Sequence, residues 1–511
     1  MVLATAKIEL SRRGDLALAD ARIHYSWADL DPLLNRAANA LIAVDPAVRR
    51  AAVCAQNSAE TVMAYTACLQ AGIASAPISF HFKPSEITYI LKDSAASILF
   101  VGPETADAGL EAARETGVDL VVGWRCAPRA GLIAWEDWLA GASDDEPPAD
   151  RPPASHLHYT SGTTGTPKGT ETPPSQFPRA DTVSDLVDLL HAQLLPSPGL
   201  VIGPNYHTGP LTTIRGLFAG GSLVVLETFD AEKVLEAIDR FRVRGMVMVP
   251  THFQRLLALP DAVRRRYDVS SVERIGHTGA ACPRDVKKAM IAWFGPVLFE
   301  AYGGTEAGVL TAINSQDWLR KPGSVGKAIP PFETVVVDEE RQPLGPNEVG
   351  YLYFRDTTGR GIVYHNDPEK TAAAHIAPSV FTLGEMGYAD EDGFVFITDR
   401  VSDMIVSGGV NIYPAEAEQV LLRHPQVADI AVIGAPNPEM GEEVKALVIP
   451  TDPANPPSAD VLNQFCRDTL AGYKCPRSYD FVDDIGRNAM GKVNKRALRQ
   501  KYWPTDRTIG G

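Results

Sequence analysis

The chain has 511 residues, 45% apolar and 22% charged, an ordinary balance for a folded protein and too long for a single core, so two or more domains are expected. Its formal net charge of −15 argues against broad binding to nucleic acid or to an anionic membrane. Six scattered cysteines without a C-x-x-C spacing fit a reducing compartment, and no apolar run is long enough to span a bilayer, so a soluble cytoplasmic protein is expected.

In chain order, Trp27, Leu30, Leu34, Ala38 and Leu41 make one apolar face of a helix from Ser26 to Val44. Ala51 to Ala55 reads as a short buried strand, and Ala59 to Ala71 as a helix stopped by Gly72. Ile73 to Ile78, Ser97 to Val101 and Leu120 to Val122 continue the alternation, which predicts a largely parallel α/β sheet. The acidic, proline-rich stretch from Ala142 to Ser155 reads as a connector. The α/β pattern returns at Leu223 to Leu226 and Met246 to Val249, with a helix between them bearing Val234, Leu235, Ile238 and Phe241 on one side. From about Glu333 the texture changes to short strands, a β-rich subdomain. After residue 400 a compact segment follows: helix Pro414 to Arg423, strands Ile430 to Ile433 and Lys445 to Ile449, helix Ser458 to Leu470. The expected fold is therefore α/β, a large N-terminal region of α/β sheets with a β-rich subdomain and a small C-terminal α+β domain.

One stretch stands out: Thr160, Ser161, Gly162, Thr163, Thr164, Gly165, Thr166, Pro167, Lys168 and Gly169. Glycines let backbone N–H groups converge, hydroxyls add donors, and a lysine adds charge, a set suited to a polyphosphate. It lacks the Gly-Lys-Ser/Thr ending of the common P-loop. Other patches are weaker alone. Ala301, Tyr302, Gly303, Gly304, Thr305 and Glu306 follow an apolar segment, where a strand is expected to open into a loop, with Tyr302 offering a flat face and Glu306 a hard oxygen for Mg2+. By themselves they read as a turn with an incidental acid. His207 lies between two prolines and is as readily structural as catalytic. Glu385 and Arg400 bracket a charged hairpin, Ser407, Gly408 and Gly409 form a turn before a helix, and Lys492 follows a glycine near the C-terminus. No Cys/His cluster suggests zinc, and no G-x-S-x-G anchors serine-hydrolase chemistry.

In this order and spacing, the motifs at Tyr159 to Gly169, Ala301 to Glu306, Asp399 to Glu416 and Gly491-Lys492 resemble those of the acyl-adenylate-forming superfamily: acyl-CoA synthetases, peptide-synthetase adenylation domains and luciferases. The resemblance covers nearly the whole chain, and the Ser407 to Glu416 run resembles free-standing acyl-CoA synthetases. It implies a two-step reaction in which a carboxylate attacks the α-phosphate of ATP and a thiol, that of coenzyme A, then displaces AMP. It also implies residues 1–399 as an adenylation domain and 400–511 as a mobile lid carrying the catalytic Lys492.

By the same resemblance the Thr160–Lys168 loop holds the β- and γ-phosphates, Thr305 meets the α-phosphate and Glu306 the Mg2+. Tyr302 stacks on adenine, Gly279, Ala280 and Ala281 wall the adenine and acyl pockets, and Glu385 and Arg400 hold the ribose. His207 and its neighbours line the acyl tunnel, and Ser407 to Gly409 line the coenzyme A channel, with Lys474 and Arg477 as phosphate contacts. The partners implied are a small carboxylic acid, ATP and coenzyme A, without nucleic acid or a membrane span and with a homodimer left open. Small residues at Thr208-Gly209-Pro210 and Thr278-Gly279-Ala280 suggest a bulky hydrophobic acid, of medium or long chain, aromatic or polycyclic. The alternatives are transfer to a carrier-protein thiol, oxidation as in luciferases, or a catalytically impaired member that only binds. Four positions depart from the family pattern: Glu385 for aspartate, Ser402 at the hinge, Gly486 for proline, which predicts a looser Lys492 loop, and Thr170 to Pro178 beside the acyl pocket.

Overall fold

The computed structural model describes residues 10–44, 50–160, 168–173, 177, 179–400, 403–407, 410–437, 440–470, 472–488 and 491–503. Among these residues, the helix–strand alternation of the first half builds two sheets. Arg50–Cys54, Ala74–Ile78, Ile98–Val101, Leu120–Gly123 and Ile133–Ala134 form an all-parallel sheet. A nine-stranded sheet has a parallel centre of Leu16–Ala19, Leu223–Val225, Gly199–Val201, Gly245–Met248, Arg274–His277 and Leu298–Gly304, with antiparallel strands at its edges. Parallel strands covered on both faces need unbroken apolar runs, and Leu223-Val224-Val225 is one, buried at all three positions.

The helix Ala59–Ala71 is buried along its whole length and packs on the helices Trp27–Val44 and Thr208–Phe218. Ser58 caps its start and Gly72, at φ 65°, ends it as expected. The first long helix begins at Trp27 rather than Ser26, because Ser26 ends a strand and its hydroxyl bonds the Asp29 carboxylate at 2.6 Å. The β-rich subdomain is an antiparallel sheet of Phe332–Val337, Gly350–Asp356, His375–Ala377, Val380–Phe381, Glu385–Ala389 and Val395–Arg400. The chain then enters a last sheet of Ile405–Ser407, Val410–Ile412, Val427–Asn437, Gly441–Pro450 and Ser478–Phe481, covered by the helices Pro414–Leu421 and Ala459–Arg467.

One ion-pair node ties the two N-terminal sheets. Arg125 reaches Asp20 at 2.6 Å, Glu60 at 2.8 Å and Glu227 at 3.2 Å, and the Asp20 and Glu60 carboxylates are almost fully buried. Arg125→Met leaves those two charges buried without their cation, so we expect a loss of about 3 kcal/mol and a thermal midpoint lower by about 5 °C or more. Removing Arg242, whose pair with Asp268 is half exposed, is expected to leave the midpoint almost unmoved. Equal shifts in the two variants, read by calorimetry, would contradict the assigned role of the node.

Candidate active site

The Ser/Thr/Gly stretch joins the two strands of an antiparallel ladder, Leu157–Thr160 and Lys168–Glu171, whose last pair is Thr160 with Lys168. Residues 161–167 and the side chains of Thr160 and Lys168 lie outside the described residues. The base of the ladder is held firmly. Tyr159 donates to Asp93 at 2.7 Å, the Gly169 carbonyl accepts from the His365 N–H at 2.9 Å, and Thr170 bridges to Tyr364. Tyr364 in turn donates its hydroxyl to Glu306 at 2.8 Å. One short chain of contacts thus sets the acid beside the loop's base.

Ala301 to Gly304 do not open into a loop. The strand Leu298–Gly304 runs through them and doubles back into Gly308–Asn314, so the turn is Thr305-Glu306-Ala307. A Cβ on Gly303 would lie 1.9 Å from the Gly308 carbonyl oxygen. Glycine is required there for the hairpin to close, which composition alone does not distinguish from close approach to a ligand. Tyr302 bonds Glu385 at 2.7 Å, and the ladder sets Glu385 opposite Arg400. The side chain of Arg400, together with Ser402, Gly408 and Gly409, lies outside the described residues. Ser407 ends the strand Ile405–Ser407 and is buried, and Gly279 opens the turn Gly279-Ala280-Ala281 at φ 92°. Lys474 is paired with Glu416 at 2.5 Å.

His207 starts the helix Thr208–Phe218 with its ring against Tyr206, centroids 4.4 Å apart. One residue on, Thr208 donates to the Thr305 hydroxyl at 3.3 Å. Burial, and then the nearby charge of Lys492, push the His207 pKa down to about 4, so the ring is neutral at neutral pH. The turn that carries Lys492 meets the large region at Gly491. A Cβ on Gly491 would come within 3.1 Å of Thr251, on the helix Pro250–Leu257.

The lysine's turn is braced rather than loose. Arg487 forks onto Asp429 at 2.5 and 2.7 Å and donates to the Gly491 carbonyl at 2.7 Å, while the Lys492 N–H meets Asn488 at 2.9 Å. Gly486 has φ 67°, which a proline ring forbids. The tightening comes from Arg487, 58 residues from its partner in the chain, beyond the reach of local pattern.

Three further residues escaped sequence reasoning. His277 and Glu300 immediately precede the Thr278–Ala281 turn and Ala301, and Lys287 bonds Glu300 at 2.5 Å with His277 at 3.6 Å. All three are buried, and burial pushes the lysine down and the glutamate up towards their neutral forms. This cluster braces the two strand ends that carry the candidate adenine wall.

Beyond Thr208 the same helix walls a cavity of about 280 Å3, bounded by Thr212, Arg215, Leu190, Leu194, Val247 and Val309 among others. No described group of three or more His, Cys, Asp or Glu residues could hold a metal by itself. Glu306, with one oxygen held by Tyr364, fits the Mg2+ pattern of a single carboxylate completed by phosphates and water. No described helix is long and apolar enough to cross a membrane.

Comparison with known proteins adds the lineage. The chain is 32% identical over 498 residues to the indoleacetate–CoA ligase of Aromatoleum aromaticum, covering 95% of each. It is 33% identical over 494 residues to a feruloyl-CoA synthase of an Amycolatopsis species, covering 93% of this chain and 94% of that one. The structure superposes on ATP-bound MatB from Rhodopseudomonas palustris with a TM-score of 0.80 at 29% identity, over 98% of both chains. Residues 9–361 match the family described as AMP-binding enzyme and residues 416–492 its C-terminal domain; the chain belongs to the AMP-binding enzyme family, within the acyl-adenylate-forming superfamily.

Proposed function

We propose that this protein is an ATP-dependent acid–CoA ligase that activates a hydrophobic carboxylic acid as its acyl-adenylate and passes the acyl group to coenzyme A. The observation that supports the reading is the contact of the Lys492 turn with the large region, where a Cβ on Gly491 would come within 3.1 Å of Thr251, with the Thr208–Thr305 contact one residue from His207. A carboxylate oxygen attacks the α-phosphorus, the bond to the bridging oxygen breaks, and pyrophosphate leaves. Negative charge accumulates where the two anions meet, and a lysine held there by the Arg487 brace stabilises it. Neutral His207 adds no competing positive charge and walls the site against water.

Thr305 serves the α-phosphate, Tyr302 the adenine, and Glu385 with Arg400 the ribose, while the Thr160–Lys168 loop takes the β- and γ-phosphates. When bound, Mg2+ would be held by Glu306 and would offset phosphate charge. In the second step the thiol sulfur bonds the acyl carbon, the carbon–oxygen bond to AMP breaks, and the thiol proton is lost to solvent. Residues 1–399 form the adenylation domain and 400–511 the lid. The lid must move between steps, because an adenylate shielded from water is also shielded from a thiol.

Two outcomes follow from this geometry. Lys492→Ala is expected to lower acid-dependent ATP–pyrophosphate exchange by about 100-fold or more while sparing thioester formation from supplied acyl-AMP. Equal losses in the two half-reactions would contradict the lid assignment, and a product found only on a carrier protein would replace coenzyme A as acceptor. The second outcome concerns His207. Its folded pKa lies below the ordinary value, so the unfolded chain binds the extra proton first, and the stability tied to this ring is lost as pH falls from about 6.5 towards about 4. In Lys492→Ala the imidazole should titrate at higher pH, because the lesser of its two perturbers is gone. Ring NMR of histidine-labelled protein reads this, and an unchanged titration would mean that Lys492 does not approach His207.

A further inference from the structure

The helix Thr208–Phe218 is buried except at Thr208, Gly209, Thr212 and Gly216, which are half-buried. Thr208, Thr212 and Gly216 recur at intervals of four and therefore share one face. That face runs from the Thr208–Thr305 contact into the cavity of about 280 Å3, which Thr212 and Gly216 both line. Two valines mark the end nearest the candidate site. Val309 pairs with Gly303 in the hairpin that carries Thr305, and a Cβ on Gly209 would come within 3.1 Å of Val247. Leu190 and Leu194 add apolar wall. Thr212 donates to the Thr208 carbonyl at 2.9 Å and accepts from Arg215 at 2.8 Å, so these polar groups are engaged within the helix.

Gly216 is the point on that face with room to spare. A Cβ there would meet only Leu194, at 3.9 Å, an ordinary van der Waals contact. The other glycines lining the cavity have no such space. A Cβ would lie 3.1 Å from Leu223 at Gly199, 2.9 Å from Leu194 at Gly221 and 2.6 Å from the Pro196 carbonyl oxygen at Gly245. Gly216 does not have a positive φ either, so neither backbone nor neighbours demand a glycine. Inside a helix glycine is a poorer former than alanine. What the missing side chain provides is open depth in the cavity.

We propose that Gly216 sets the depth of the acyl pocket: the apolar tail of the acid lies along the Thr208–Thr212–Gly216 face, and its end meets Gly216 and Leu194. The inference rests on the acid–CoA ligase reading and narrows its substrate class to acids of medium reach. The rise along the helix from Thr208 to Gly216 is about 12 Å, at about 1.5 Å per residue. The cavity volume, just below the usual range of about 300–1,000 Å3, favours such an acid over a very long chain. A side chain added at Gly216 would shorten the pocket two helical turns away from the Thr208–Thr305 contact.

The test uses two pairs of acids that differ only in the tail: hexanoate and decanoate, phenylacetate and 4-butylphenylacetate. Pyrophosphate release gives the ratio of kcat/KM, longer acid to shorter, in each pair. Wild-type protein is expected to show a ratio of about one or more in at least one pair. In Gly216→Leu that ratio should fall about 10-fold or more, as added methylenes do in an apolar pocket. In Gly216→Ala it should fall less, while the thermal midpoint stays or rises because alanine is the better helix former. A wild-type protein that takes only the shorter acid of each pair, or a Gly216→Leu variant in which both acids lose equally, overturns the inference alone. If no acid supports pyrophosphate release, the ligase reading fails, and the thermal shifts given by the same pairs decide the inference by whether Gly216→Leu loses the longer acid selectively. Should Gly216→Leu not fold, the ratio in Gly216→Ala decides it: a fall supports the inference and an unchanged ratio overturns it.

Discussion

A carboxylate and a triphosphate repel, and a protein with a net charge of −15 repels both. Two unit charges 4 Å apart cost about 4 kcal/mol at an effective dielectric near 20, so bringing these reactants together requires fixed cations at one point. Those cations must also be local, because a generally basic surface is absent. In the proposed account a lysine from the far end of the chain, Lys492, answers this constraint, on a turn that Arg487 and Asp429 hold in shape. The rest of the arrangement supports that approach.

Support comes from buried polar contacts at the ends of strands. The Lys287–Glu300 pair sits directly under the hairpin that presents Tyr302 and Thr305. Tyr364 links the base of the Leu157–Thr160 and Lys168–Glu171 ladder to Glu306, and Tyr302 links the hairpin to Glu385 in the β-rich sheet. The two tyrosine contacts join residues 58 and 83 apart in the chain, so this arrangement exists only when more than one sheet has formed. Buried polar groups of this kind are costly when half-satisfied and rigid when complete. A reaction that depends on ångström-level alignment of two anions benefits from that rigidity.

Much of the scaffold was legible in the chain. The helix Ala59–Ala71 with its glycine stop, the strand Leu223–Val225, and the helix Ala231–Phe241 with Val234, Leu235 and Ile238 buried stand where periodicity predicts them. The order of motifs along the chain points to the family by itself. What stayed hidden was non-local or ambiguous. Glycines at Gly303 and Gly304 read as a loop because glycine is rare in strands, whereas Gly303 is needed to admit a carbonyl from the returning strand. Gly486 suggested slack, yet the clamp on that turn is made by an arginine and an aspartate 58 residues apart. Lys287, Glu300 and Arg215 carry no local signature, since a charged residue inside an amphipathic helix or a strand usually faces water. The assignments at Ser161 to Thr166 and at Gly408 and Gly409 rest on the chain's resemblance to its family and not on described geometry.

The most direct measurement of the central claim follows one oxygen atom. The protein is incubated with ATP, coenzyme A and a carboxylic acid labelled with 18O in both carboxyl oxygens, and the nucleotide product is analysed by mass spectrometry. If the carboxylate attacks the α-phosphorus and the thiol then cleaves the acyl carbon–oxygen bond, AMP carries one labelled oxygen and pyrophosphate carries none. Label in pyrophosphate, or ADP as the product, would contradict the account.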